Sequence, residues 1–208
     1  MTEVQTNQID KETIEKAFTY EEYRALIDDL LEQDMTTGEN HSEAMLHYTK
    51  MNVHRMKRLD SRTKLSEGLV NKLQNLERDM IWLVLTEAWC GDAAQIVPVI
   101  EKIAKESEHI TTAYILRDQN LGIMDQFLTN GKSRSIPKLI CLDKNTLKVL
   151  GSWGPRPIVT QEFYKELKDD PEISGETAAE NLHKWYAKDR TESTQTELLK
   201  KIENWQNA

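Results

Sequence analysis

Residues 81–104, IWLVLTEAWCGDAAQIVPVIEKIA, constrain the fold of this 208-residue chain more than any other stretch. Residues 81–86 are apolar and β-rich but too few for a helix, which is typical of a strand buried on both faces. The apolar residues that follow recur three and four positions apart: Ala93, Ile96, Val97, Ile100, Ile103 and Ala104. This spacing predicts a helix that begins near Cys90 and lays one apolar face on the sheet.

Cys90 is therefore expected at the point where a buried strand ends and a helix begins. The first turn of a helix has unpaired backbone N–H groups and a partial positive charge, and both favour a thiolate over a thiol. The thiolate is the nucleophilic form of cysteine. The alternative interpretation is a small core residue that happens to end a strand.

Two motifs in the chain resemble the active site of the thioredoxin superfamily, a Trp-Cys-Gly-Pro-Cys turn between a central strand and a helix with an internal proline. The first is Trp-Cys-Gly-Asp-Ala at residues 89–93, with Pro98 eight residues after the cysteine. The second, Ser-Ile-Pro-Lys-Leu-Ile at residues 135–140, resembles the loop that carries a cis-proline opposite the cysteine. The resemblance covers residues 80–168 and implies an α/β, thioredoxin-like fold with a mixed central sheet flanked by helices.

Three residues depart from the thioredoxin pattern. Ala93 stands where the second cysteine should be, so the internal disulfide of a dithiol thioredoxin cannot form. Val84 stands six residues before Cys90, where the family usually buries a proton-relaying aspartate. Asp92 replaces the proline of the turn, as in the WCxDC variants; its carboxylate could raise the pKa of the thiol or cap the first helical turn.

The resemblance also implies roles for the residues of the turn and of the Ile-Pro loop. Cys90 is the expected nucleophile, and Trp89 is expected to form a wall of the site. Gly91 and Asp92 shape the turn. Ile136 and Pro137 are expected to present backbone groups to an extended substrate segment, with a cis bond between them.

The leading functional hypothesis is a thioredoxin-like monothiol protein. Cys90 attacks a disulfide or oxidised thiol, forms a mixed disulfide, and is released by an external thiol. The expected partner is a protein or a low-molecular-weight thiol or disulfide. The alternative is a non-catalytic protein-binding module that keeps the thioredoxin fold.

The pKa of Cys90 discriminates between these hypotheses, since a value well below the roughly 8.5 of free cysteine favours catalysis and an ordinary or raised value favours the binding module. A third hypothesis, cluster binding like that of monothiol glutaredoxins, fits poorly because those proteins carry a CGFS-type turn. The five histidines show no ligand spacing with either cysteine. Neither a metal nor another cofactor is expected.

Composition limits the classes of partner and the location. A formal net charge of −8 argues against general binding to nucleic acid or to an anionic membrane. No apolar run approaches the roughly 18 residues of a membrane span. With two cysteines, the chain is not a disulfide scaffold, and a cytoplasmic monomer or weak dimer is expected. Cys141, in the middle of an apolar strand, is interpreted as a core residue.

The chain is expected to form a single domain over residues 1–208. Residues 1–79 form a helical N-terminal extension, 80–168 the thioredoxin-like core, and 169–208 a helical C-terminal extension. Residues 2–8 are polar and expected to be disordered. A basic stretch at residues 54–64, expected between two helices, is either an anion site or a solvated helix end.

Overall fold

A four-stranded mixed sheet lies at the centre of the structure, a computed structural model in which residues 9–208 are described. Its strands are β1 (Met80–Thr86), β2 (Ile110–Leu116), β3 (Lys138–Asp143) and β4 (Val149–Trp153). Their order is β2-β1-β3-β4, with β2 parallel to β1 and with β3 and β4 each antiparallel to its neighbour. The expected α/β class with a mixed sheet is confirmed. The expected disorder of residues 2–8 lies outside the described residues.

Helices precede, interrupt and follow the sheet. Those before it are α1 (Lys11–Glu15), α2 (Tyr20–Glu32), α3 (Glu43–Arg62) and α4 (Glu67–Gln74). Within the core are α5 (Gly91–Ala104) and α6 (Leu121–Met124), the latter preceded by a 3₁₀ turn at Arg117–Gln119. After the sheet come α7 (Ile158–Asp169), α8 (Gly175–Asp189) and α9 (Glu192–Gln206). No helix in residues 9–208 combines the length and apolarity needed to cross a membrane.

The stretch from β1 to α5 folds as its apolar pattern predicts. All seven residues of β1 are buried, and Cys90 is the N-cap of α5. Almost every residue of α5 is also buried, including Pro98 inside the helix, because α3 packs along its outer side. An added N-terminal helix therefore covers the helix that carries the cysteine turn.

The N-terminal segment also contacts one edge of the sheet. Thr19 and Glu22 form the expected capping box at the start of α2. Before it, Phe18 exchanges two backbone hydrogen bonds with Tyr114 of β2, with N–O distances of 2.8 and 2.9 Å. This isolated bridge pairs one residue in the middle of the edge strand β2. The short helix α1, capped by Asp10, was not expected from the sequence.

Several element bounds differ from the sequence-based expectations. The sequence predicts a helix from Ser42 to about Arg58, but α3 continues to Arg62 because no glycine or proline interrupts it. Most of the basic stretch 54–64 is therefore helical. The sequence also predicts a short helix over residues 120–128, where the structure has only the four residues of α6. The apolar stripes of residues 176–206 predict helical structure, and α8 and α9 occupy this section; they are separated at Arg190 and Thr191, which adopt positive φ angles.

The C-terminal helices return to the sheet. The Trp205 ring of α9 meets Trp82 of β1 edge to face, with 6.0 Å between ring centroids. The Gln195 side chain accepts a hydrogen bond from Ser66 N and donates one to Lys64 O, so α9 also contacts the start of α4. Both extensions thus pack on the core and on each other.

Gly151 of β4 provides a test of the α9 contact. A Cβ atom added at Gly151 would lie 2.3 Å from Trp205 Nε1. We predict that Gly151→Ala lowers the free energy of unfolding by about 1–3 kcal/mol, because the indole ring must move. Urea denaturation measures this change.

Gly68→Ala is the matched control, because nothing lies within 4 Å of the added Cβ and Gly68 is inside α4. Alanine should be neutral or stabilise that helix by up to about 1 kcal/mol. Equal stability of Gly151→Ala and the unmodified protein would contradict the packing of α9 against β4.

Candidate functional site

Cys90 lies in the turn between β1 and α5 with an extended backbone. Its Sγ accepts a hydrogen bond from Ala93 N at 3.5 Å, as an N-cap side chain does. The thiol donates in turn to Ile136 O at 3.4 Å. The structure therefore brings together the cysteine turn and the Ile-Pro loop, which lie 46 residues apart in the chain.

The electrostatic environment keeps the thiol of Cys90 protonated. Although part of the side chain is accessible, protein surrounds the sulfur, and its pKa is raised to about 12, with desolvation as the largest cause. The negative charge of Asp92 is the second cause of the raised pKa. The backbone N–H groups of the first helical turn and the charge of Arg156 lower it, but by less. The helix N-terminus therefore does not dominate the pKa.

Asp92 does not cap the helix; it is the centre of a buried network. Its carboxylate forms an ion pair with Arg156, and Tyr186 Oη donates a hydrogen bond to Asp92 Oδ1 at 2.7 Å. Desolvation raises the pKa of Asp92, whereas these two partners lower it. Of the two roles open for Asp92 from the sequence, the structure favours raising the pKa of the thiol.

The loop after β4 covers the Ile-Pro loop. The Ile136–Pro137 and Gly154–Pro155 bonds are both cis, and Ile136 and Pro137 are buried. Gly154 has a φ of +117°, and a Cβ atom there would lie 2.4 Å from Pro137 O, so only glycine permits this close approach. The same loop carries Arg156, whose guanidinium binds the carboxylate of Asp92. The backbone expected to meet an extended substrate is thus covered by protein.

A cleft of about 280 Å³ opens at Cys90. Helix α3 contributes Met45, Tyr48, Asn52 and Arg55; the turn contributes residues 89–92; the C-terminal segment contributes Arg156, Tyr164, Ala179, Leu182 and His183. Of the six residues expected at the site, Trp89, Cys90, Gly91 and Asp92 line the cleft, whereas Ile136 and Pro137 do not. Both terminal extensions therefore supply walls that a minimal thioredoxin-like core lacks.

Two arginine side chains line the cleft: Arg55 bonds a neutral amide, and Arg156 contacts an aromatic ring in addition to its ion pair with Asp92. Arg55 Nη1 donates to Asn52 Oδ1 at 2.7 Å, and Asn52 Nδ2 donates to Ala88 O at 2.9 Å. The Arg156 guanidinium lies 4.6 Å from the centre of the Tyr164 ring, a cation–π distance. Arg55 belongs to the basic stretch 54–64, whereas no sequence signal placed Arg156 at the site.

His183 is neutral at neutral pH. Burial and the charges of Arg55 and Arg156 lower its pKa to about 4. Its Nδ1 lies 3.2 Å from the side-chain nitrogen of Gln95. Because that amide nitrogen can only donate, Nδ1 accepts and Nε2 carries the ring proton. The sequence contained no signal for this residue, which faces Gly91 from α8.

Three further residues lie near the cysteine turn: Val84, Glu87 and Trp89. Val84 is fully buried in β1 and places no titratable group at the usual aspartate position. Glu87 is also fully buried, accepts a hydrogen bond from Asp118 N at 2.9 Å, and has its pKa raised by burial. The Trp89 ring packs under the Arg117 guanidinium at 5.0 Å.

Cys141 is not a partner for Cys90. It is fully buried, pairs with Trp82 across β1 and β3, and lies 3.5 Å from Met80 Sδ. Trp82 and the end of β1 at Thr86 are separated by four residues, or roughly 13 Å of strand. A disulfide requires Cα atoms within about 7 Å.

Among residues 9–208, no group of three or more His, Cys, Asp or Glu side chains could hold a metal ion.

Comparisons with known proteins agree with this architecture. A family model described as thioredoxin matches residues 38–168. An HIV epitope-scaffold has a similar structure, with a TM-score of 0.56 and 19% identity over 92% of this chain and 96% of that chain. A protein of unknown function from Pseudomonas aeruginosa has a TM-score of 0.55 and 21% identity, over 89% and 98% respectively. At these identities the structures show the fold alone. No curated protein matches the chain.

The network at Asp92 predicts how the reactivity of Cys90 responds to charge. Asp92→Asn removes a negative charge beside the thiol, so the pKa of Cys90 should fall and alkylation by iodoacetamide at mildly alkaline pH should accelerate on the order of tenfold. Arg156→Gln removes a positive charge and should slow the reaction. Mass spectrometry of the intact protein measures both rates.

Two controls separate charge from unfolding. Tyr186→Phe removes a hydrogen bond but no charge, so it should change the rate less than Asp92→Asn. Cys141 should stay unlabelled in every folded variant because it is fully buried. If Asp92→Asn reacts no faster than the unmodified protein, the carboxylate does not set the pKa of the thiol.

Proposed function

We propose that this chain, which belongs to the thioredoxin family, is a monothiol protein whose Cys90 exchanges with small disulfides or oxidised thiols inside the cleft. One observation carries the proposal: Cys90 lines a cleft that both terminal extensions help to build, while the Ile-Pro loop is covered. A cleft of about 280 Å³ fits a small molecule better than an extended protein segment.

The reaction begins with loss of the thiol proton of Cys90 to water. The thiolate attacks one sulfur of a disulfide, the substrate S–S bond breaks, and a mixed disulfide forms at Cys90. The departing thiolate takes up a proton. An external thiolate then attacks the substrate-derived sulfur of the mixed disulfide, and the bond from that sulfur to Cys90 breaks. A new disulfide joins the external thiol to the substrate fragment and leaves, and the Cys90 thiolate takes up a proton. Ala93 supplies no second sulfur for this step.

A protonated resting thiol makes this reaction slow at neutral pH. Because the pKa of Cys90 is raised to about 12, the thiolate fraction is small and grows about tenfold per pH unit. A high thiol pKa also increases the intrinsic nucleophilicity of the thiolate that does form. We therefore propose that Cys90 reacts slowly and selectively and that the protein is not a general disulfide reductant.

The same raised pKa favours a second candidate function. A thiol that stays protonated and accepts and donates hydrogen bonds within the site can be a structural part of a non-catalytic binding module. In that case the cleft binds a partner without covalent chemistry. The two functions differ in whether Cys90 forms a mixed disulfide.

The location and partners belong to the proposal as well. Both cysteines are free thiols, which is compatible with a reducing compartment, and we place the protein in the cytoplasm. The proposed partners are a small disulfide and a small or protein thiol that resolves the adduct. Neither nucleic acid nor a membrane surface is a proposed partner, because the net charge is −8.

Reaction with hydroxyethyl disulfide tests the monothiol function. Incubation of the unmodified protein should give one adduct at Cys90, with a rate that rises about tenfold per pH unit between about pH 7 and about pH 10. The adduct should persist until an external thiol is added, since no internal thiol can displace it. Intact-mass spectrometry and peptide mapping follow the reaction.

Two variants define the outcome. Cys90→Ser should give no adduct, and Cys141→Ala should react like the unmodified protein. Absence of an adduct across the whole pH series would favour the binding module. An adduct at Cys141 would contradict the assignment of that residue to the core.

A further inference from the structure

We infer that the substrate is a low-molecular-weight disulfide or thiol that carries an acid group near its sulfur, and that Arg55 of α3 binds this group. The inference rests on the proposed function and names the chemical class of its substrate. It follows from the charges that line the cleft and from the distances between them.

Arg55 is a half-buried cation without a carboxylate partner. Among residues 9–208, its guanidinium forms no ion pair, and its hydrogen bond goes to the neutral amide of Asn52. Desolvation and the charge of Arg58 lower its pKa. Arg24, by contrast, is paired with Asp60. A partly desolvated charge that lacks a counter-ion is unfavourable, and a bound anion compensates it.

Arg55 lies directly beside the cysteine turn. The position that a Cβ would take on Gly91, the residue after Cys90, is 4.0 Å from Arg55 Nη1 and 2.9 Å from His183 Nε2. The neutral His183 presents an N–H group at Nε2 because its Nδ1 faces the amide of Gln95. Two donors, one of them charged, therefore meet at Gly91, the residue that follows Cys90, and both side chains line the cleft at the thiol.

One positive charge of the cleft, that of Arg55, has no counter-ion and could bind one anion. The charge of Arg156 is offset by Asp92, and His183 is neutral at neutral pH, so Arg55 remains uncompensated. The protein as a whole carries a net charge of −8, which by itself would attract cationic reagents. A preference of Cys90 for anionic reagents would therefore have to arise locally, at the cleft.

A structural role is the competing explanation for Arg55. Its hydrogen bond orients Asn52, whose amide holds the carbonyl oxygen of Ala88 two residues before Cys90. Loss of this support would change the shape of the turn and would alter reactions with all reagents alike. Loss of an anion site would alter only the reactions of charged reagents. The ranking of reagents by charge separates the two roles.

Three aliphatic disulfides of similar size test the inference: dithiodipropionate, which carries two carboxylates, neutral hydroxyethyl disulfide, and cystamine, which carries two ammonium groups. The rate of adduct formation at Cys90 is measured for each and divided by the rate of the same disulfide with free 2-mercaptoethanol. For the unmodified protein, the normalised rate should be roughly tenfold higher for dithiodipropionate than for hydroxyethyl disulfide, and lowest for cystamine.

Three variants sharpen the test. Arg55→Gln should abolish the ranking, and Arg55→Lys should restore part of it because the charge returns without the forked geometry. Arg62→Gln makes the same charge change at an exposed position of α3 that does not line this cleft, so it should leave the ranking intact.

Each remaining outcome counts against a defined claim. Equal normalised rates for the three disulfides with the unmodified protein would overturn the anion site but leave the proposed function standing. A uniform slowing of all three reactions in Arg55→Gln, with the ranking preserved, would assign Arg55 a structural role and also overturn the inference. No adduct with any disulfide would overturn the proposed function and this inference together.

Discussion

The buried ion pair between Asp92 and Arg156 determines the arrangement of the site. Asp92 belongs to the first turn of α5, Arg156 to the loop after β4, and Tyr186, the second partner of Asp92, to α8. Removing one member of a buried pair typically costs about 3–5 kcal/mol, because the other charge is left without compensation. The network therefore fixes the C-terminal extension against the cysteine turn, and it also places a negative charge beside the thiol.

Local sequence patterns were sufficient to predict the centre of the fold. The change of apolar period at residues 81–104 predicted β1, α5 and the position of Cys90 between them, because both elements are specified by residues near in sequence. The missing signals concern long-range contacts. Asp92 meets Arg156 and Tyr186 across 64 and 94 residues, and no spacing rule relates such positions.

The protonation state of Cys90 could not be predicted from the local sequence either. The sequence indicates a helix N-terminus, which favours the thiolate. The tertiary structure adds burial and the carboxylate of Asp92, and these two effects outweigh the helix. Desolvation depends on which segments surround the sulfur in the folded chain, and here residues of α3 and α8 from the two extensions line the cleft at Cys90. A cysteine in a thioredoxin-like turn can therefore have a raised pKa although it lies at a helix N-terminus.

We propose that the N-terminal and C-terminal extensions convert an open thioredoxin-type groove into a cleft for small molecules. The most direct test compares Cys90 adduct formation from hydroxyethyl disulfide and from a disulfide that links two extended peptides, each rate normalised to the reaction with free 2-mercaptoethanol. The account predicts an adduct with the small disulfide and a far slower reaction with the peptide disulfide. Equal normalised rates would contradict it, because an extended segment would then have access to Cys90.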